Sequence, residues 1–486
     1  MAASADISSG HEALRTGRAR ASIGGAAWSA VNTLAATFAA AVLFYAASRV
    51  LGPAEFGVVA LAASIVTIAS AVAPAAFGEA LIQRQDLSKS HIDTVFWLCM
   101  GAAVVLYILV LGIAAPMAEW LDEPLVAILL PLIGVKLGFE MLAVVPNALV
   151  VRRMRYRALA ARTAIANAVA AAVCLALLAA GKGIWALAIS QVANVAVAAL
   201  VVLWASGWRP GIAASWQALR DLTGYGVYAS GSRALNLLRV DQLLIGAISG
   251  AGAAGLFNFA NRLFQMTTGL VSGAFGSVTH VLLSSMQNEE EKRREAFLMA
   301  MFGSAVVSFP IFAGLFLVAP QAVPQIFGDQ WRDAVVPVQA FSVIGLCASV
   351  SIVQGSLLTS QGKPGWWFSY QVVTQATNLL LIILLLPWGL DAALTGIAAK
   401  TLLMWPVTIV MARKVVDVGW ADYARTLAAP VAATVAMGVV VVVLNDSHLA
   451  IRIGIGAAVY SVTAGLLGLN KLKRILGYAR SKKARG

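Results

Sequence analysis

The sequence predicts an all-α polytopic membrane protein of about fourteen transmembrane helices, arranged as two pseudo-symmetric six-helix lobes followed by two C-terminal helices. Three observations predict it. Of 486 residues, 60% are hydrophobic and 12% charged, about half the charge of a soluble domain. The apolar residues gather in runs of about 20 or more, the length that crosses a bilayer. Two glycine patterns recur in the two halves of the chain at nearly the same interval. A water-soluble globule is excluded, and one membrane domain replaces the roughly three soluble domains that length alone would suggest.

Breaking the apolar runs at charges, Pro and Gly places spans 1 to 7 at about 24–47, 57–79, 94–118, 125–150, 160–180, 184–204 and 223–249. Spans 8 to 14 follow at about 254–284, 295–322, 335–360, 365–388, 390–412, 423–444 and 448–468. Arg15, Arg18 and Arg20 precede the first run, which is too long for a signal-peptide core and is expected to remain as a span. Twenty-six of the 35 lysines and arginines fall in alternate connections, whereas the opposite connections hold Arg49, Lys182, Arg332 and Arg452 and are comparatively acidic. Because positive residues stay on the cytoplasmic side, both termini are expected to be cytoplasmic, in a bacterial inner membrane. The formal net charge of +13 therefore reports topology, and no nucleic-acid partner is implied.

The expected organisation is a cytoplasmic tail over 1–22, an N-lobe over 23–205, a cytoplasmic linker over 206–222, a C-lobe over 223–412, two further spans over 423–468, and a basic cytoplasmic tail over 470–486. Seven basic residues and no acidic one in that last tail suit attraction to anionic membrane lipids. The run Glu289 to Glu295 reads as a solvated inner loop.

The repeat supports the two lobes. Gly52, Gly57 and Ala62 match Gly250, Gly255 and Ala260 in spacing, and Gly183-Ile184-Trp185-Ala186 echoes Gly389-Leu390-Asp391-Ala392. Both matches pair span n with span n+6, so the copies enter the membrane in the same sense and are related by an axis along its normal. Repeat-built transporters place their site between the repeats near the midplane, which points to a central cavity lined by spans 1, 2, 7 and 8.

Few motifs carry chemistry. Gly250-Ala251-Gly252-Ala253-Ala254-Gly255 satisfies the G-x-G-x-x-G pattern, but it follows a membrane span rather than a strand, and its twin at Gly52 marks it as a turn. Cys99, Cys174 and Cys347 lie inside apolar runs and are odd in number, so no disulfide framework is implied. His11, His91, His280 and His448 are scattered and no Walker lysine occurs, so metal catalysis and ATP-driven transport have no support in the sequence. No metal or organic cofactor is expected. The tryptophans near span ends, such as Trp120, Trp204, Trp208 and Trp388, read as interface anchors.

The informative residues are the charges inside spans, since each costs at least about 2.5 kcal/mol on insertion scales and is tolerated where it faces a cavity or a partner. Lys136, Arg233 and Lys400 each lie about 15 Å from one end of their span at 1.5 Å per residue. Arg239, Asp241 and Arg262 lie nearer the outer ends of spans 7 and 8, and Glu140 lies one turn from Lys136. Five cations against Asp241 and Glu140 leave a positive surplus that suits an anion, of which a diphosphate fits a membrane cavity best. Arg233 and Arg262 are the first candidates to hold it, with Lys136, Arg239 and Lys400 completing the field. Structural pairing is the competing reading: Lys136 with Glu140 within one helix, and Arg239 with Asp241 across helices. Asp241 and Glu140 are also the candidates for coupling to H+ or Na+.

Several stretches resemble a known family. They are Arg49-Val50-Leu51-Gly52-Pro53-Ala54-Glu55-Phe56-Gly57, Leu81-Ile82-Gln83-Arg84, Thr94-Val95-Phe96-Trp97, Gly183-Ile184-Trp185-Ala186-Leu187, Asp241-Gln242-Leu243-Leu244-Ile245-Gly246, Gly255-Leu256-Phe257 with Asn261-Arg262-Leu263, and Phe327-Gly328-Asp329-Gln330-Trp331. In order and spacing, over about 24–412, the chain resembles the Wzx-type polysaccharide flippases of the MOP superfamily, relatives of the MATE exporters and of the lipid II flippase. The resemblance implies a pair of six-helix bundles that moves a polyprenyl-diphosphate-linked oligosaccharide from the inner to the outer leaflet. Exopolysaccharide or lipopolysaccharide biosynthesis is the implied process, with a polysaccharide polymerase and export machinery as partners. A drug or cation antiporter of the same superfamily is the nearer alternative, but it would favour an acidic cavity. An integral-membrane glycan polymerase is the farther one, and it would need a larger outer loop than the roughly fifteen residues present here, so the chain is not expected to be an enzyme.

Overall fold

The structure, a computed structural model, describes residues 40–84, 86–224, 240–285 and 290–484, and among these every regular element is helical. Arg233, Arg239 and most of span 1 lie outside the described residues. Contacts divide the chain after Asn258 into two compact units.

The first unit holds α1 (Ala40–Val50), α2 (Pro53–Val72), a 3-10 turn (Pro74–Ala76), α3 (Phe77–Gln83), α4 (Lys89–Trp120), α5 (Val126–Gly134), α6 (Lys136–Arg152), α7 (Tyr156–Ala179), α8 (Ile184–Ser206), α9 (216–224) and the start of α10 (Val240–Ser285). Pro53 opens α2, where its missing N–H costs nothing, and the Glu55 side chain accepts from the Gly52 N–H at 3.0 Å. Span 2 was expected to run unbroken over 57–79, but the helix stops at Val72. Pro74 excludes helical geometry at Ala73, which is extended at φ −65°, ψ 148°. Val58, Leu61 and Ile65 of α2 pack with Leu129 and Ile133 of α5 and Ala188 of α8 in the core of this unit.

The basic cluster that follows α6 closes helix ends. Arg152 donates to the carbonyls of Leu81, at 2.9 Å, and of Arg84, Arg153 donates to Ser206 at 2.7 Å, and Arg155 to Ala205 at 2.7 Å. The carbonyls that α3 and α8 leave unpaired at their C-termini are thus met by these arginines.

The long helix α10 is a fold-back rather than one rod. Gly250 sits at φ 80°, ψ 174° within it, and the Asn258 side chain donates to Gln242 Oε1 at 3.3 Å. These two residues lie eight positions either side of Gly250, and in a straight helix they would be about 24 Å apart. The glycine turn is therefore the boundary between spans 7 and 8, as the repeat suggests. Twelve stretches of the described chain are long and apolar enough to cross a membrane, with α5 and α6 counting as one. With α1 and the reversal in α10 added, they match the pattern of about fourteen spans.

The repeat-related segments also touch. A Cβ on Gly57 would collide with the Ala251 carbonyl oxygen, and a Cβ on Gly255 would collide with that of Pro53. Pro53 and Gly57 are the repeat equivalents of Ala251 and Gly255, so the contact is two-fold symmetric and passes through both glycines. The second repeat match holds in the backbone as well: Gly183 and Gly389 both precede a helix with positive φ, 49° and 105°.

The second unit holds the rest of α10, α11 (Glu290–Phe327), a 3-10 turn (Asp329–Ala334), α12 (Val335–Ser360), α13 (Pro364–Leu385), α14 (Leu390–Arg413), α15 (Trp420–Val443) and α16 (Leu449–Ala484). Phe297, Met301, Val350, Val353, Leu357, Ile409 and Tyr423 form one core of it, and Val318, Met437 and Tyr460 belong to another. Arg452, expected in an outer connection, is instead buried one turn into α16. There it donates to the Val441 carbonyl at 3.2 Å and to Gln321 Oε1 at 2.6 Å. α16 continues as helix to Ala484, so at 36 residues it is about 54 Å long and outruns the hydrocarbon core of about 30 Å.

Candidate functional site

In the first unit the charges expected at mid-membrane sit on α6. Lys136 is its first residue, just past the joint with α5, and Glu140 follows one turn on. Their spacing allows an ion pair, yet none forms between them. Glu140 Oε2 instead accepts a hydrogen bond from the Ser70 hydroxyl of α2 at 2.6 Å. The bond ties the carboxylate to a hydroxyl on a different helix of the same unit.

A second polar group follows the turn in α10. Asp241 Oδ1 accepts from the Gln242 N–H at 2.9 Å, and Gln242 is buried with Asn258 as its side-chain partner. The Gln242 Nε2 is buried and has no hydrogen-bond partner among the described residues, so this amide pair keeps an unused donor. One residue further, the Phe259 ring stacks on Trp331 at 4.2 Å and meets Phe327 edge-on at 5.0 Å. Both Phe259 and Trp331 are fully buried. The Phe327-to-Trp331 stretch thereby pins the helix turn that carries Asn258, Asn261 and the half-buried Arg262.

Lys400 stands apart, on α14 in the second unit. It is 8% exposed and its Nζ donates to the Thr374 carbonyl of α13 at 3.3 Å. Neither α12 nor α13 carries an acidic residue. The structure thus brings Glu140 to Ser70 and Gln242 to Asn258, and holds Lys400 against a main-chain carbonyl.

Sequence reasoning missed the uncharged members of these groups. Ser70, the Gln242 amide and the Asn167–Asn194 bond at 2.8 Å between α7 and α8 are polar groups within spans. Weighing amides and hydroxyls alongside charges would have found them. Arg162, assigned from sequence to an inner connection, lies in the second turn of α7 and donates to Asn147 Oδ1 of α6 at 2.8 Å.

A membrane-embedded two-repeat helical bundle with ionisable groups inside its spans defines a polytopic transport protein. Comparison places it further: the profile described as "Polysaccharide biosynthesis protein" matches residues 46–336, and the chain belongs to that family. It is similar to the succinoglycan biosynthesis transport protein ExoT of Rhizobium meliloti (strain 1021), 28% identical over 62% of this chain and 60% of that one, so it spans about three fifths of that relative. It is also similar to the lipopolysaccharide biosynthesis protein WzxC of Escherichia coli (strain K12), 24% identical over 72% of each chain. The teichuronic acid biosynthesis protein TuaB of Bacillus subtilis (strain 168) is 23% identical over 91% of this chain and 93% of that one. Among solved structures, the lipid II flippase MurJ in an inward closed conformation superposes with a TM-score of 0.75, covering 93% of this chain and 100% of that one at 11% identity. An inward-facing multidrug resistance MATE family transporter of the MOP superfamily follows at 0.57 and 14% identity, over 79% of this chain and 97% of that one. The chain shares the fold of these two solved proteins.

Proposed function

We propose that this chain is a flippase that carries a polyprenyl-diphosphate-linked oligosaccharide from the cytoplasmic to the periplasmic leaflet for exopolysaccharide or lipopolysaccharide biosynthesis. Alternating access would be its mechanism, with both termini cytoplasmic. One observation supports the reading: among the described residues, neither Lys136 nor Lys400 forms an ion pair with a carboxylate of the bundle. Glu140 is bonded to Ser70 rather than Lys136, and Lys400 rests on a carbonyl. Cations held in this way suit an anionic head group, and the three relatives reported above are named for succinoglycan, lipopolysaccharide and teichuronic acid biosynthesis. Arg262 and Arg233 hold the diphosphate in this reading, with Lys136, Arg239 and Lys400 supplying the surrounding field. The oligosaccharide polymerase and export machinery act on the product, and no reaction is catalysed by the chain itself.

Lipid extracts of a strain lacking the gene test this by mass spectrometry. The expected result is accumulation of a polyprenyl diphosphate bearing a complete oligosaccharide unit, reversed by the wild-type gene. Unchanged lipids and surface glycan, with raised sensitivity to organic cations, would overturn it in favour of an antiporter.

Glu140 and Asp241 are the coupling groups in the same reading. Glu140→Gln keeps an acceptor for the Ser70 hydroxyl but cannot ionise. Export by the wild type is expected to fall when the driving proton or sodium gradient is collapsed by an ionophore, whereas export by the Gln variant is expected to run low and unresponsive. The two are compared by surface-glycan yield at equal protein level.

A further inference from the structure

Residues 207–224, which follow α8, are neither a loose tether nor a solvated loop. One face of this segment is fastened to α4. Asp93, fully buried, accepts from the Gly211 N–H at 3.3 Å and the Ala213 N–H at 3.2 Å. Thr94 Oγ1 accepts from the Ser215 N–H at 3.0 Å, and the Trp97 indole donates to the Gly211 carbonyl at 2.8 Å. Arg84 and the His91 imidazole both reach Asp221, at 3.0 and 3.3 Å. Leu222 is buried with Phe77, Leu81 and Phe96, and Trp208 meets Phe96 edge-on at 5.2 Å.

The opposite face carries groups that water does not suit. Ile212 is 93% and Trp216 79% exposed, and Trp204 in the last turn of α8 is 85% exposed. Trp204 belongs to an apolar span, so the connection leaves the bundle at the level where aromatic side chains sit at the membrane surface. Arg220 lies one turn from Trp216 on α9, and Arg209 precedes Ile212. Both arginines are exposed, and neither forms a hydrogen bond or ion pair with a described residue. An apolar edge flanked by unspent cations, on a segment fastened along its opposite edge, matches an interfacial membrane element.

We propose that residues 207–224 lie in the headgroup layer of an anionic phospholipid leaflet, with Ile212 and Trp216 at the acyl boundary and Arg209 and Arg220 on lipid phosphates. The Asp93 contacts set which edge faces lipid, because a segment held by Gly211, Ala213 and Ser215 cannot roll. The same leaflet would be the cytoplasmic one by the distribution of basic residues, and anionic lipid attracts such cations there. The Thr94-to-Trp97 and Arg84 stretches then owe their place in the chain to seating this connection.

The full-length Ile212→Cys variant, labelled with an environment-sensitive fluorophore, tests the proposal without any cargo. The native cysteines are buried, so labelling is confined to position 212. In nanodiscs of phosphatidylethanolamine with phosphatidylglycerol, the label is expected to emit at short wavelength and to be quenched several-fold by lipids nitroxide-labelled near the headgroup. Adding Arg209→Gln and Arg220→Gln is expected to weaken the quenching in these discs and to leave it unchanged in phosphatidylcholine discs. Water-like emission without quenching would overturn the proposal and leave this face to a soluble partner. Quenching indifferent both to lipid charge and to the two arginines would overturn the assignment of anionic lipid.

Discussion

Gly57→Val is expected to cut glycan export at least tenfold while the protein still reaches the membrane and runs as a single species on size-exclusion chromatography. The reason is backbone contact. The start of α2 and the segment after Gly250 meet where a Cβ on Gly57 would run into the Ala251 carbonyl and stand 3.0 Å from the Gly255 nitrogen. Side-chain overpacking costs about 1 to 3 kcal/mol because neighbours can rotate away, but a main-chain carbonyl inside a helix has no rotamer to change. The two segments must move apart, and small residues at a helix crossing are what allow such close approach within a membrane. The symmetric change Gly255→Val is expected to act equally, since its Cβ meets the Pro53 carbonyl in the equivalent way. Gly101→Ala, in the middle of α4 with no atom within 4 Å of the added carbon, is expected to leave export unchanged, which separates crowding from any general intolerance of glycine replacement.

The equivalence of Gly57 and Gly255 was legible from their spacing; their contact was not. A repeat states that two segments are built alike, and symmetry alone does not say that they meet at the axis. Span count and order were legible for a related reason: a bilayer of fixed thickness imposes a length on each apolar run. Where the reading failed, local chemistry overrode that length. Pro74 broke span 2 at Ala73, and the Val441 carbonyl with the half-buried Gln321 holds Arg452 inside the bundle.

The charges inside the spans were legible in the sequence, and their partners were not. Lys136 and Glu140 stand i, i+4, and nothing in that spacing reveals that Ser70, seventy residues earlier, takes the carboxylate. Asp93 was invisible for the same reason, because its partners are main-chain N–H groups of Gly211 and Ala213, which every sequence supplies and no motif announces.

Arg262 is the described arginine on which the proposed cargo reading depends most, and Arg262→Ala is expected to lower export by tenfold or more at unchanged protein level. A hydrogen bond to a charged group contributes about 1.5 to 3 kcal/mol, which corresponds to roughly 10- to 150-fold in affinity or rate. Arg262→Lys is expected to recover part of the activity, because an ammonium keeps the point charge but loses the planar fork that meets two phosphate oxygens at once. The ordering wild type, then Lys, then Ala distinguishes a diphosphate contact from a packing role, for which the shorter fit of Lys would bring no graded rescue. Trp331→Ala provides the matching comparison. Removing the ring on which Phe259 stacks at 4.2 Å should free the turn that carries Arg262 while leaving the guanidinium in place, and truncating a buried aromatic costs about 3 to 5 kcal/mol of stability. That variant is expected to lose thermal stability together with export, whereas Arg262→Ala is expected to lose export with a clearly smaller fall in melting temperature. If both variants melted alike and early, the guanidinium would be a structural group and the diphosphate would have to be held elsewhere.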